Sequence, residues 1–80
     1  MIYVELPNLD KLKTGENIKR LMRLNNINTY ELQMTFGFAS GRNVYSWMRG
    51  ETTPSADNLI KLAYIFKCSV DDILIKESEG

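Results

Sequence analysis

The sequence predicts an all-α fold, a compact five-helix bundle with a short extended N-terminal arm. Two observations carry that prediction. Capping residues stand at regular intervals (Thr14, Asn28, Ser40 or Gly41, Ser55 and Ser69), each just ahead of apolar residues at helical spacing. Five such segments fill an 80-residue chain and leave no room for a sheet.

The elements follow in order. Ile2, Val4 and Leu6 alternate before Pro7, the pattern of a short strand or extended arm, placed over residues 1–13. A single strand needs a partner, so this arm is expected to pack across the surface or pair with another copy of the chain. Thr14 is the expected cap of the first helix, with Glu16 in its first turn and Ile18, Leu21 and Met22 at i, i+3, i+4. Asn25 and Asn26 end it, because Asn tolerates the left-handed conformation. Asn28 and Glu31 form the capping box of the second helix, and Ile27 and Leu32 its hydrophobic staple. Leu32 and Phe36 make an i, i+4 pair, and Gly37 closes the helix.

The third helix starts after Ser40 or Gly41. Val44, Trp47 and Met48 face the core at i, i+3, i+4, and Gly50 is the stop. Trp47 therefore reads as a core residue. In the fourth helix Ser55 is the cap, and Leu59, Leu62, Ala63 and Phe66 form the strongest apolar stripe of the chain. The fifth opens with the box Ser69 and Asp72, stapled by Cys68 and Ile73, and contributes Val70, Ile73 and Leu74 to the core. The domain thus spans 14–75, and a polar tail, 76–80, is expected to fray.

Composition excludes several functions. With no His and Cys68 as the one Cys, a Cys/His metal site, an internal disulfide and a Ser–His or Cys–His catalytic pair are ruled out. Cys68 itself, between Phe66 and Val70, reads as a small buried hydrophobe. Asp71 and Asp72 are explained by capping and dipole complementarity at a helix start. No enzyme activity, cofactor or small-molecule substrate is expected. No apolar run approaches a membrane span, and the N-terminus lacks the features of a signal peptide, so the expected location is cytoplasmic, without a membrane partner. The net charge is zero, but residues 1–50 carry seven Lys/Arg against four acids, and residues 51–80 three Lys against six acids. The positive half can steer a polyanion even at neutral total charge.

That half contains Asn28 to Gly50, two short helices around a glycine. The arrangement matches a helix-turn-helix, whose second helix can enter the DNA major groove. From Thr14 to Leu74 the chain resembles the Cro/phage-repressor-type (XRE-like) helix-turn-helix family. The residues carrying the resemblance are Ile18 and Leu21, Leu32, Phe36-Gly37, Val44, Trp47 and Gly50, Pro54-Ser55, Leu59, Leu62-Ala63 and the run from Ser69 to Leu74. Phe36-Gly37-Phe38, Tyr45-Ser46-Trp47, Thr14-Gly15, Asn17-Ile18 and Asp57-Asn58-Leu59 are most similar to small bacterial regulators common in Firmicutes. There are three departures from the family pattern. The interval from Gly37 to Trp47 is one residue longer, Thr29 replaces a phosphate-holding Gln, and Gln33 replaces a small Ala where the second and third helices cross. Gln33 implies either a looser crossing or a side chain that snorkels out.

The resemblance implies a lambda-repressor-like domain and a DNA-binding transcriptional regulator, a repressor in the simplest case, with the third helix in the major groove. Carried over position by position, Ser40, Gly41, Arg42, Asn43 and Ser46 face base edges. Arg42 is the foremost reader, because Arg can bind guanine O6 and N7 together. Gly41 would admit a close backbone approach. Asn28 and Thr29, at the start of the second helix, and Arg49, after the third, would hold phosphates. Tyr45 either touches sugar-phosphate or covers the neighbouring helix, and Arg49 is either a phosphate grip or a member of a surface ion pair. Lys19, Arg20 and Arg23 would add longer-range attraction. The implied partner is double-stranded DNA bound by a homodimer, with the arm or Ile73-Leu74-Ile75 as the dimer interface. The competing expectation is a protein–protein interaction module on the same scaffold, an antirepressor or antitoxin-like partner.

Overall fold

Capping side chains fix where most of the helices begin. In the computed structural model, which describes residues 6–77, these are α1 (Lys11–Leu24), α2 (Thr29–Phe36), α3 (Arg42–Met48), α4 (Ala56–Phe66) and α5 (Val70–Ile73). Asn28 and Glu31 make both halves of a capping box on α2, and Ser69 and Asp72 do the same on α5. The Ser55 hydroxyl accepts from the Asn58 amide at the start of α4.

The first helix begins earlier than expected. Asp10, not Thr14, is its cap, accepting from the Lys13 amide at 2.9 Å. Thr14 lies within α1, only 3% exposed, and its hydroxyl is engaged elsewhere, accepting from the Ile75 amide at 3.0 Å. The arm and tail also depart from expectation. Leu9 and Lys76 form an isolated antiparallel bridge, flanked by Asp10 N–H to the Ile75 carbonyl and Glu77 N–H to the Asn8 carbonyl, both 2.8 Å. The end of the arm therefore pairs with the tail of its own chain, and Lys76 and Glu77 are tied rather than frayed. Ile2 and Val4, and the tail's residues 78–80, lie outside the described residues.

Four helices end in the same way. Asn26, Gly37, Gly50 and Lys67 follow α1, α2, α3 and α4 in the left-handed region, at φ of 55°, 74°, 73° and 56°. In each case the next amide donates to the carbonyl five residues back: Ile27 to Met22, Phe38 to Gln33, Glu51 to Ser46 and Cys68 to Ala63. This double-bonded cap satisfies carbonyls that the helix leaves open.

Each helix gives the core one side chain with no exposed surface: Ile18, Leu32, Val44, Leu62 and Ile73. Truncating such a residue to Ala costs roughly 2–5 kcal/mol, a large share of a small domain's stability. Helix α1 packs on α3 and α5, α4 on α5, and α2 on α3. The α1–α3 contact is close because Gly15 lies under the end of α3. A Cβ there would stand 2.5 Å from the Trp47 carbonyl oxygen and 2.7 Å from that of Met48. Asn17 fastens α1 to the C-terminal segment, its Nδ2 donating to the Asp72 carbonyl at 2.7 Å and the Ile73 carbonyl at 3.0 Å.

Candidate nucleic-acid interface

The turn between α2 and α3 is held by aromatic rings. Phe36 and Phe38 stack across Gly37 with centroids 5.2 Å apart, and both meet Trp47 edge-on, at 5.7 and 5.8 Å. Offset and edge-on pairs each contribute about 0.5–1.5 kcal/mol beyond burial. Trp47, 5% exposed, is a core residue as expected, and the clamp fixes the angle at which α3 leaves α2.

Gln33 neither snorkels out nor leaves the crossing empty. It is half-buried and turns into the interval between the helices, where Nε2 donates to the Phe38 carbonyl at 3.3 Å.

With Val44 and Trp47 buried and Met48 half-buried, the opposite stripe of α3 runs Arg42, Tyr45, Ser46 and Arg49, at i, i+3, i+4, i+7. Asn43 flanks it, exposed. These candidates share one face, but their surroundings differ. Arg42 is exposed and forms no salt bridge among the described residues. It occupies the first position of α3, where the helix dipole disfavours a cation. Ser40 is exposed, and its hydroxyl accepts from the Arg42 amide at 3.3 Å, helping to start the helix. Gly41 is half-covered rather than open: a Cβ there would lie 3.2 Å from the Tyr45 ring and 3.5 Å from Gln33 Oε1. Tyr45 thus leans back over its own helix while remaining 47% exposed.

The far end of the stripe is occupied by an acid. Arg49 Nη2 donates to Glu51 Oε1 at 3.0 Å, and the Ser46 hydroxyl donates to the same oxygen at 3.2 Å. The two charged side chains are 54% and 56% exposed. Glu51 is held below the usual carboxylate range by the hydrogen bond and the charge of Arg49. Its carboxylate was not among the sequence-derived candidates. The signal for it was present: Gly50 turns the chain back at the end of α3, which returns the next side chain to the helix it has just left.

At the start of α2 the capping box consumes part of the expected phosphate hold. The Asn28 amide donates to Glu31 Oε1, and the Glu31 amide donates to Asn28 Oδ1. Thr29 and Tyr30, the first two helical residues, keep amides that no carbonyl within the helix can reach. The Thr29 hydroxyl points to the end of α3, 3.9 Å from Met48 Sδ. Lys19, Arg20 and Arg23 are exposed on α1, and Arg20 is engaged through Nε with Asn17 Oδ1 at 3.0 Å.

Elsewhere, Ile73 is fully buried, and Ile75 is bound through its backbone to Asp10 and Thr14. Of the expected C-terminal dimer segment, Ile73 is therefore spent within the chain, while Leu74 and Ile75 keep part of their surface. Burial, helped by the charge of Asp72, pushes the half-buried Cys68 thiol up and keeps it protonated. Among the described residues, no helix is long and apolar enough to cross a membrane.

No curated protein and no solved structure matches the chain. The family model of the Cro/C1-type HTH DNA-binding domain matches residues 17–79, which takes in all of α2 to α5 and most of α1. The aromatic clamp, the outward polar stripe of α3 and this match lead to one conclusion: the chain belongs to the Cro/C1-type helix-turn-helix family of DNA-binding domains.

Proposed function

We propose that the chain is a sequence-specific transcriptional regulator, acting as a repressor by occluding its site, with α3 laid in the major groove. The observation that carries this reading is Arg42. It is an exposed cation, without a salt bridge among the described residues, at the helix end that disfavours cations, and it heads the stripe of Tyr45, Ser46 and Arg49. A cation there gains nothing from the helix dipole, whereas it can donate to a guanine edge. Asn43 and Ser46 read beside it, with Ser40 and Gly41 at the helix entry. Tyr45 meets sugar-phosphate, and Thr29 with the start of α2 and the Asn28 cap approaches a phosphate.

So few cations give one domain weak affinity, so the working form is a homodimer on two half-sites about 34 Å apart. Selection from a random duplex pool, followed by binding of the wild type and Arg42→Ala at two salt concentrations, tests the reading. A short symmetric motif is expected, with a loss of roughly 1–3 kcal/mol concentrated at one base position in the variant. Absence of an enriched motif and of salt-dependent binding would refute it.

The second reading is a protein–protein interaction module, of an antirepressor or antitoxin-like kind. It is favoured by the neutralisation of Arg49. It is also favoured by an apolar groove of about 420 Å³ between α2 and α4, lined by Phe36, Ile60, Tyr64 and Ile65 among others. Tyr64 is 87% exposed there.

A further inference from the structure

We infer that Glu51 restrains non-specific binding, its carboxylate occupying the cationic end of the reading face. The inference rests on the proposed reading of α3 as the DNA-contacting helix.

Three observations carry it. Glu51 Oε1 accepts at once from Ser46 Oγ (3.2 Å) and Arg49 Nη2 (3.0 Å). Both partners belong to the outward stripe, so the carboxylate sits on the face offered to a ligand and not behind it. The backbone of Glu51 is placed independently of its side chain, by donation of its amide to the Ser46 carbonyl at 3.0 Å and by the left-handed Gly50. The fold therefore does not need an acid at this position. Finally, both charged side chains are more than half exposed, and exposed ion pairs contribute little to stability. The cluster changes the charge of the face far more than it changes folding.

The consequence follows from the electrostatics of DNA binding. Non-specific affinity comes almost wholly from neutralised phosphates. With Arg49 paired to Glu51, α3 and its end present Arg42 as their one uncompensated cation among the described residues. A phosphate approaching Arg49 meets the repulsion of the Glu51 carboxylate, 3.0 Å from Nη2. A duplex offering base contacts to Arg42, Asn43 and Ser46 compensates for displacing Glu51, and a duplex without them does not. Binding that rests on phosphate contacts alone is thereby weakened.

The test measures binding to a mixed-sequence duplex of about two helical turns, over a range of salt, for the wild type, Glu51→Gln, Arg49→Gln and the double variant. Glu51→Ala is read in parallel, and thermal unfolding confirms that each variant folds. Glu51→Gln is expected to bind severalfold more tightly, with a log–log salt slope steeper by about 0.9, the value for one further phosphate contact. Arg49→Gln, which leaves the acid without its partner, is expected to bind more weakly, and the double variant to return near the wild type. Unchanged or weakened binding by Glu51→Gln and Glu51→Ala, with salt-dependent binding by the wild type, would overturn this inference alone. Absence of salt-dependent binding by every form would overturn the DNA-contacting reading of α3, and the inference with it.

Discussion

Two polar clusters of similar size behave in opposite ways. In the first, Thr14 and Asn17 of α1 are almost wholly buried and bond to the backbone of residues 72, 73 and 75, with no buried side-chain polar atom left unpaired among the described residues. In the second, Ser46, Arg49 and Glu51 bond through side chains, largely in contact with water. A buried polar group that loses its partner forfeits its solvation, at about 1–3 kcal/mol, so the first cluster has one arrangement and keeps it. The exposed cluster can exchange each partner for water or phosphate at small cost. The first is architecture, and the second is available for binding. Chemical character alone does not separate them; burial does.

Substitutions on each side test that division. The largest effect is expected at Gly15, on the architectural side. An added Cβ meets two backbone carbonyls that cannot swing aside, so Gly15→Ala must push α1 from α3 and is expected to cost roughly 3 kcal/mol in denaturant unfolding. A change close to zero would mean that the α1–α3 contact is looser than described. Next, Asn17→Ala is expected to lose about 2 kcal/mol, as two carbonyls lose their donor, whereas Ser46→Ala should stay within about 0.5 kcal/mol. Equal losses at the two positions would erase the distinction.

The smallest effect concerns pH. The Ser69 backbone amide and hydroxyl hold Asp72 below the usual carboxylate range. A depressed folded value means that its contribution is full above the unfolded value and is lost as pH falls through the folded one. The melting temperature of the wild type should therefore decline in acid partly through Asp72. Asp72→Asn should start slightly lower at neutral pH and decline less. An unchanged acid slope in the variant would remove Asp72 from the account.

Much of the fold was legible in the sequence because its signals are local. The boxes at Asn28 and Ser69 and the cap at Ser55 act within three residues, and each was placed correctly. The start of α1 was not, since Thr14 looks like a cap until its partner, Ile75, is known to lie against it. The pairing of Leu9 with Lys76 was hidden for the same reason: no local pattern links residues so far apart in sequence. On α3 the helical period alone separated Val44 and Trp47 from the outward residues. It did not reveal that Tyr45 folds over Gly41, or that Glu51 returns to Ser46 and Arg49, because both depend on side-chain direction at a helix end. The turn was half-legible: Gln33 was visible as a departure, but its bond to the Phe38 carbonyl required coordinates.

The central claim is that the outer face of α3 binds DNA while the α1–C-terminal cluster only supports it. Backbone amide chemical shifts, followed while a selected duplex is titrated into the labelled protein, test this most directly. The largest shifts are expected at Arg42, Asn43, Tyr45, Ser46 and Arg49, with smaller ones at Thr29 and Tyr30, and little change at Thr14, Asn17 and Ile75. Shifts centred on Ile60 and Tyr64, or on the C-terminal segment with α3 silent, would contradict it.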